Sequence, residues 1–119
     1  MNRLRWMMAV AAVSLLVAAS LHAGIVIPGR FDQAAMYETG VAVIVAIGLA
    51  LTFAGLPLAR WGALLALVLA LGGASIGLYL ALRGIAPSTG LDIAYHLALV
   101  ALLLAGIVVA WCLPSTSIA

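Results

Sequence analysis

Four long apolar runs, separated by short breaks rich in glycine and proline, account for nearly all of the chain. An α-helix rises about 1.5 Å per residue, so about 20 apolar residues cross the hydrocarbon core of a bilayer, and each run has that length. The first covers residues 4–27 and stops at Ile27-Pro28-Gly29, because proline disfavours helix in the residue before it. The second covers residues 36–56 and ends at Gly55-Leu56-Pro57. The third covers residues 60–83 and is followed by Gly84 and Pro87; the fourth, residues 91–112, opens after the turn Pro87-Ser88-Thr89-Gly90 and closes before Pro114. The pattern predicts an all-α fold, an integral membrane four-helix transmembrane bundle forming a single domain over residues 1–119. The start, Asn2-Arg3-Leu4-Arg5 and an apolar run reaching Ser20-Leu21-His22-Ala23, has the look of a signal peptide and is read here as the first transmembrane helix.

Composition points the same way. Hydrophobic residues make up 68% of the 119 and charged ones 7%, against roughly a quarter charged in soluble domains. The net charge of +2 leaves no basic surface able to track phosphates, which argues against nucleic-acid binding. Cys112 is the single cysteine, so an internal disulfide, a redox Cys-x-x-Cys pair and a cysteine zinc cluster are excluded. No nucleophile has a base and an orienting group at a recognisable spacing, and a non-catalytic role is expected.

Arginine placement gives the expected orientation, since cytoplasmic loops hold an excess of positive charge. Arg3, Arg5 and Arg60 fall at one end of the bundle; Arg30 and Arg83 fall at the other, with all three acids, Asp32, Glu38 and Asp92. Both termini are therefore expected on the cytoplasmic side. Trp6, Trp61 and Trp111 fall at the inner boundary and Tyr37, Tyr79 and Tyr95 at the outer one, as interfacial aromatics do. Abundant Ala, Gly, Leu and Arg with no Lys suggests a GC-rich bacterial source and hence the cytoplasmic (inner) membrane. Small residues mark helix contacts in lipid: Gly73-x-x-x-Gly77, the stripe Gly62, Ala66, Ala70, Ala74, and Ser20-x-x-x-Gly24. The Gly73/Gly77 face suits packing within the bundle or a homo-oligomer.

All four helices bring a polar group to the outer end: His22 from the first, Glu38 from the second, Tyr79 and Arg83 from the third, Asp92, Tyr95 and His96 from the fourth. His22 and His96 share a depth, and the spacing of four in Asp92-x-x-x-His96 and Tyr79-x-x-x-Arg83 puts each pair on one helix face. Polar groups at such depth face the bundle interior, so these seven are the candidate ligand-binding residues of an outer pocket. One alternative is a network that fixes helix register, with Arg83 paired to Glu38 or Asp92. A second is a transition-metal site using His22, Glu38, Asp92 and His96, whose imidazoles and carboxylates suit zinc, copper, iron or nickel. A third is a b-type haem or a quinone held by His22 and His96. A fourth is proton-coupled transport on Glu38 or Asp92, set against the almost wholly apolar stretches 41–52 and 64–75.

His22 late in the first helix, a short loop, and Tyr37-Glu38-x-Gly40 opening the second resemble the DoxX-like group of small four-span membrane proteins over residues 15–55. Its members carry a histidine-glycine step in the first span; here Ala23-Gly24 follows His22. The resemblance implies a four-helix membrane subunit or partner of a redox or stress-response assembly, without a reaction. The sequence thus suggests a non-catalytic subunit or ligand-binding module whose outer pocket holds a metal ion or small polar ligand, or else a purely structural accessory subunit of a larger membrane complex.

Overall fold

A computed structural model describes residues 1–25, 31–86 and 89–113. Among these the chain is all-helical: α1 (Asn2–His22), α2 (Asp32–Leu51), α3 (Ala59–Leu82) and α4 (Gly90–Cys112). The helices hold 21, 20, 24 and 23 residues, and each is long and apolar enough to cross a membrane. The expected breaks at Ile27-Pro28-Gly29, Pro87-Ser88 and Pro114, and the outer-end Arg30, lie outside the described residues.

The helix ends follow local hydrogen bonding rather than the nearest proline. Helix α1 stops at His22, five residues before the expected 27, because Gly24 takes a left-handed φ of 73°. Its N–H donates to the Leu21 carbonyl at 3.0 Å and the Ile25 N–H to the Ser20 carbonyl at 3.1 Å. That pair of bonds is a Schellman motif, and glycine adopts its left-handed position without steric cost. Helix α3 ends the same way at Gly84, with Gly84 N–H to Ala81 at 3.1 Å and Ile85 N–H to Leu80 at 3.0 Å. Helix α2 starts at Asp32, four residues before the expected 36, and the acid in its first turn favours the positive end of the helix dipole. It ends at Leu51 rather than 56, as the N–H groups of Thr52, Phe53 and Ala54 each bond three residues back. Helix α4 is capped by the Thr89 hydroxyl, which accepts the Asp92 N–H at 3.2 Å.

Each helix packs on the next and α4 closes on α1, in an up-and-down order that cross-helix contacts make plain. Arg5 at the start of α1 bonds Thr52 at the end of α2, and Arg60 at the start of α3 donates to the Trp111 carbonyl near the end of α4. The centre is filled by Leu4, Met8, Val45, Leu67 and Leu103, all fully buried. Along α3 the residues Ala59, Ala63, Ala66, Ala70 and Ala74 form the buried side, and their small size lets neighbouring backbones approach. Large apolar side chains also cover the outside, Val17, Ile47, Leu69, Leu104 and Val108 among them.

The small-residue stripes fall into two kinds. A Cβ on Gly73 would lie 2.8 Å from Val41 Cγ2, and one on Gly77 would lie 2.7 Å from His96 Nε2, so both glycines are occupied by contacts inside the chain. Ser20-x-x-x-Gly24 instead marks a helix end: Gly24 lies beyond α1, and the Ser20 hydroxyl donates to the Leu16 carbonyl.

Gly48 sets the closest approach of α2 and α3, because a Cβ there would meet Ala66 Cβ at 2.5 Å and Met8 Cε at 2.9 Å. Gly48→Val should lower the unfolding midpoint in detergent by an overpacking cost of about 1–3 kcal/mol or more. At Gly40 an added Cβ meets nothing within 4 Å, so Gly40→Ala should leave the midpoint equal or raised, by up to about 1 kcal/mol.

Candidate functional site

At the end formed by the close of α1, the start of α2, the close of α3 and the start of α4, four ionisable side chains form a chain of contacts. His22 is the last residue of α1, and its carbonyl accepts the Phe31 N–H at 2.7 Å, a bond that brings the start of α2 alongside it. The Phe31 ring then meets the imidazole edge-on, centroids 6.3 Å apart. Two turns into α2, Glu38 reaches back so that Oε2 lies 2.7 Å from His22 Nδ1. The other imidazole nitrogen, Nε2, faces Asp92 Oδ1 of α4 at 3.8 Å. Asp92 Oδ1 in turn lies 3.4 Å from His96 Nδ1, one turn further along the same helix.

The partners fix one proton position. His96 Nδ1 faces two acceptors, Asp92 Oδ1 and the Asp92 carbonyl at 2.9 Å, so Nδ1 carries a hydrogen. His22 has a carboxylate oxygen facing each of its ring nitrogens. Glu38 is 7% exposed, and its Oε1 is buried without a hydrogen-bond partner. An unpaired buried carboxylate oxygen costs more than an ordinary unsatisfied group.

Beside the cluster lies a cavity of about 280 Å³, into which all four helices contribute. His22, Gln33, Tyr37, Glu38, Asp92 and His96 supply its polar lining, while Leu15, Val41, Ala74, Leu80 and Leu99 supply apolar surface. Its dimensions depend on Gly73 and Gly77, which line it too and whose missing side chains leave room for Val41 and His96.

The other candidate residues lie elsewhere. Tyr79 is 56% exposed. Arg83 is exposed as well, its guanidinium 5.9 Å from the Tyr79 ring centroid, and among the described residues it forms no ion pair with Glu38 or Asp92. One turn of α3 thus carries both away from the carboxylates. Tyr95 stacks edge-on against His96 with centroids 5.2 Å apart and directs its hydroxyl to the Ser14 carbonyl at 3.4 Å. It belongs to the α1–α4 seam, not to an outer aromatic belt.

Among the described residues no group of three or more His, Cys, Asp and Glu side chains is placed to hold a metal ion. The contacts say why: the four candidate ligands run in a line, and each His22 nitrogen is turned to a carboxylate rather than to a common centre. The same orientation leaves His22 without a nitrogen turned towards His96, as an axial pair on one haem iron requires. No family model matches the chain, and neither a curated protein nor a solved structure matches it.

Two features of this site have no signature in the sequence pattern: Phe31 and the unpaired Glu38 oxygen. The first fills space, and the second depends on which carboxylate oxygen meets His22. The glycine spacing 73/77 was the available signal, and it marks the cavity wall.

His22→Ala leaves Glu38 buried with neither oxygen paired. It should cost about 3–5 kcal/mol of unfolding free energy in a mixed-micelle denaturation series. Adding Glu38→Leu should recover most of that loss, with a coupling of about 1–3 kcal/mol in the double-mutant cycle.

Proposed function

We propose that this chain is a multi-pass protein of the bacterial cytoplasmic membrane, both termini on the cytoplasmic side, which acts as a non-catalytic module binding a small, largely apolar ligand in the cavity at its outer end. The observation that carries the reading is the cavity itself, a mostly apolar recess of about 280 Å³ lined by all four helices, with His22, Glu38, Asp92 and His96 among its polar residues. Recesses lined by apolar side chains with a few convergent polar groups are the usual form of small-molecule sites. Membrane insertion is supported by the four apolar helices and by the apolar outer surface. The polarity of the two ends supports the orientation: Arg3, Arg5 and Arg60 cluster at one, and the three acids at the other.

The DoxX-like resemblance belongs to this proposal. His22 and Glu38, which carry it, touch at 2.7 Å, so the short motif has a physical basis as an α1–α2 clasp. A larger membrane complex would be seated against the apolar exterior.

Orientation is tested by replacing Thr89 with cysteine in a Cys112→Ser background. A membrane-impermeant maleimide added to intact spheroplasts should label Thr89→Cys, and labelling only after lysis would reverse the assignment. Ligand binding is tested with 1-naphthylmethanol titrated calorimetrically into protein in zwitterionic nanodiscs, with empty discs subtracted. Saturable binding near one per chain is expected, lost in Ala81→Phe, which places a ring in the cavity. Heat indistinguishable from empty discs would refute the binding-module reading.

A further inference from the structure

The cavity is closed on one side and open on another. Its back is made by α1 and α4, where Leu15, Leu99 and His96 are buried. Among the described residues that line it, three are exposed: Gln33 and Tyr37 of α2 and Ile76 of α3. A side chain that touches a cavity and is also exposed stands at its mouth. The mouth is therefore a slit in the seam between α2 and α3, which are neighbours in the ring of helices.

The two sides of the slit match in height. Tyr37 lies five residues into α2 and Ile76 six residues before the end of α3, which puts both about 8–9 Å from the helix ends. With 24 residues, α3 is about 36 Å long against a hydrocarbon core of about 30 Å, so in the membrane orientation proposed above this level falls inside the hydrocarbon. Gln33 is one turn above Tyr37 on the same helix face, nearer the headgroups. Further in, the slit ends where Gly73 meets Val41, a Cβ on Gly73 lying 2.8 Å from Val41 Cγ2.

That position selects what can enter. The three rim residues carry no charge, and a formal charge at the depth of Tyr37 and Ile76 is strongly disfavoured in lipid. The Gln33 amide and the Tyr37 hydroxyl each donate and accept hydrogen bonds, so the rim suits an uncharged head that does both, such as a hydroxyl. Beyond the rim, Leu15, Val41, Leu80 and Leu99 present aliphatic carbon. An apolar cavity of about 150 Å³ takes benzene; this one, about 280 Å³, has the scale of a bicyclic ring system.

Resting on the reading of the cavity as a ligand site, we propose that its ligand is an uncharged amphiphile dissolved in the outer leaflet, which enters sideways between α2 and α3, body first, and leaves its hydroxyl head at the rim on Gln33 and Tyr37.

The test uses one naphthyl body with three heads: 1-naphthylmethanol, 1-methylnaphthalene and the cationic 1-naphthylmethylguanidinium, each titrated into the full chain in zwitterionic nanodiscs with empty-disc subtraction. A net hydrogen bond between neutral groups is worth about two- to tenfold in affinity, so the alcohol should bind more tightly than methylnaphthalene by about that factor. Gln33→Leu combined with Tyr37→Phe, both at exposed positions, should erase the difference. The guanidinium should give no saturable heat. Ile76→Trp should slow association of the alcohol, followed by stopped-flow naphthyl anisotropy, at least threefold. Saturable guanidinium binding overturns the proposal, because it shows a charged head received among the acids at the back, while the cavity reading stands. A gap between alcohol and methylnaphthalene that is absent in the wild type, or that survives the double variant, overturns the placement of the head. An unchanged association rate in Ile76→Trp overturns sideways entry. Absence of binding by all three removes this proposal and the cavity reading together.

Discussion

The structure turns on one contact, the 2.7 Å bond between His22 at the end of α1 and Glu38 two turns into α2. A carboxylate in an apolar bundle is tolerated only with a partner, and the histidine is that partner. To make the pair, α1 must stop at His22 and α2 must begin early enough to put Glu38 at the same height. The Schellman turn at Gly24 and the Phe31 bond to the His22 carbonyl meet those two conditions. Asp92 then ties α4 to the other side of the same imidazole, so three of the four helices are aligned by one ring.

The fourth helix enters by subtraction. Helix α3 offers no charged group to the cluster, but Gly77 yields the space that His96 fills and Gly73 the space for Val41. Alanines continue that smooth side down to Ala59. A helix without side-chain bulk on its inner side packs closely along its length, and the recess opens where its neighbours carry polar groups too large to follow it.

Much of this was legible in the sequence, and what was not has a physical cause. Four helices, their order and the convergence of His22, Glu38, Asp92 and His96 at one end follow from run length and spacing. Prolines are the conspicuous breaks along the chain, whereas the glycines at 24 and 84 and the three-residue turns after Leu51 end the helices first. Position along the chain gives Arg83 the height of the acids and not its azimuth, which is outward. Tyr95 shows the same gap in reverse, sharing the height of the interfacial aromatics yet turning inward to Ser14. The free oxygen of Glu38 could not be read from any pattern, because it depends on how a single carboxylate is rotated.

The two ends of the bundle are built on different plans. At the arginine end, Arg5 bonds the hydroxyl and carbonyl of Thr52, and Arg60, 8% exposed, donates to the Trp111 and Leu113 carbonyls, with Trp61 and Trp111 stacked edge-on beside it. Guanidinium groups thus stopper the carbonyl-rich closing turns of α2 and α4. Between the two ends, Met8, Val45, Leu67 and Leu103 are fully buried in the centre. The carbonyls that close α2 and α4 are thus answered by cations drawn from α1 and α3, so one end of the bundle is held by charge on backbone and the other by side chain on side chain.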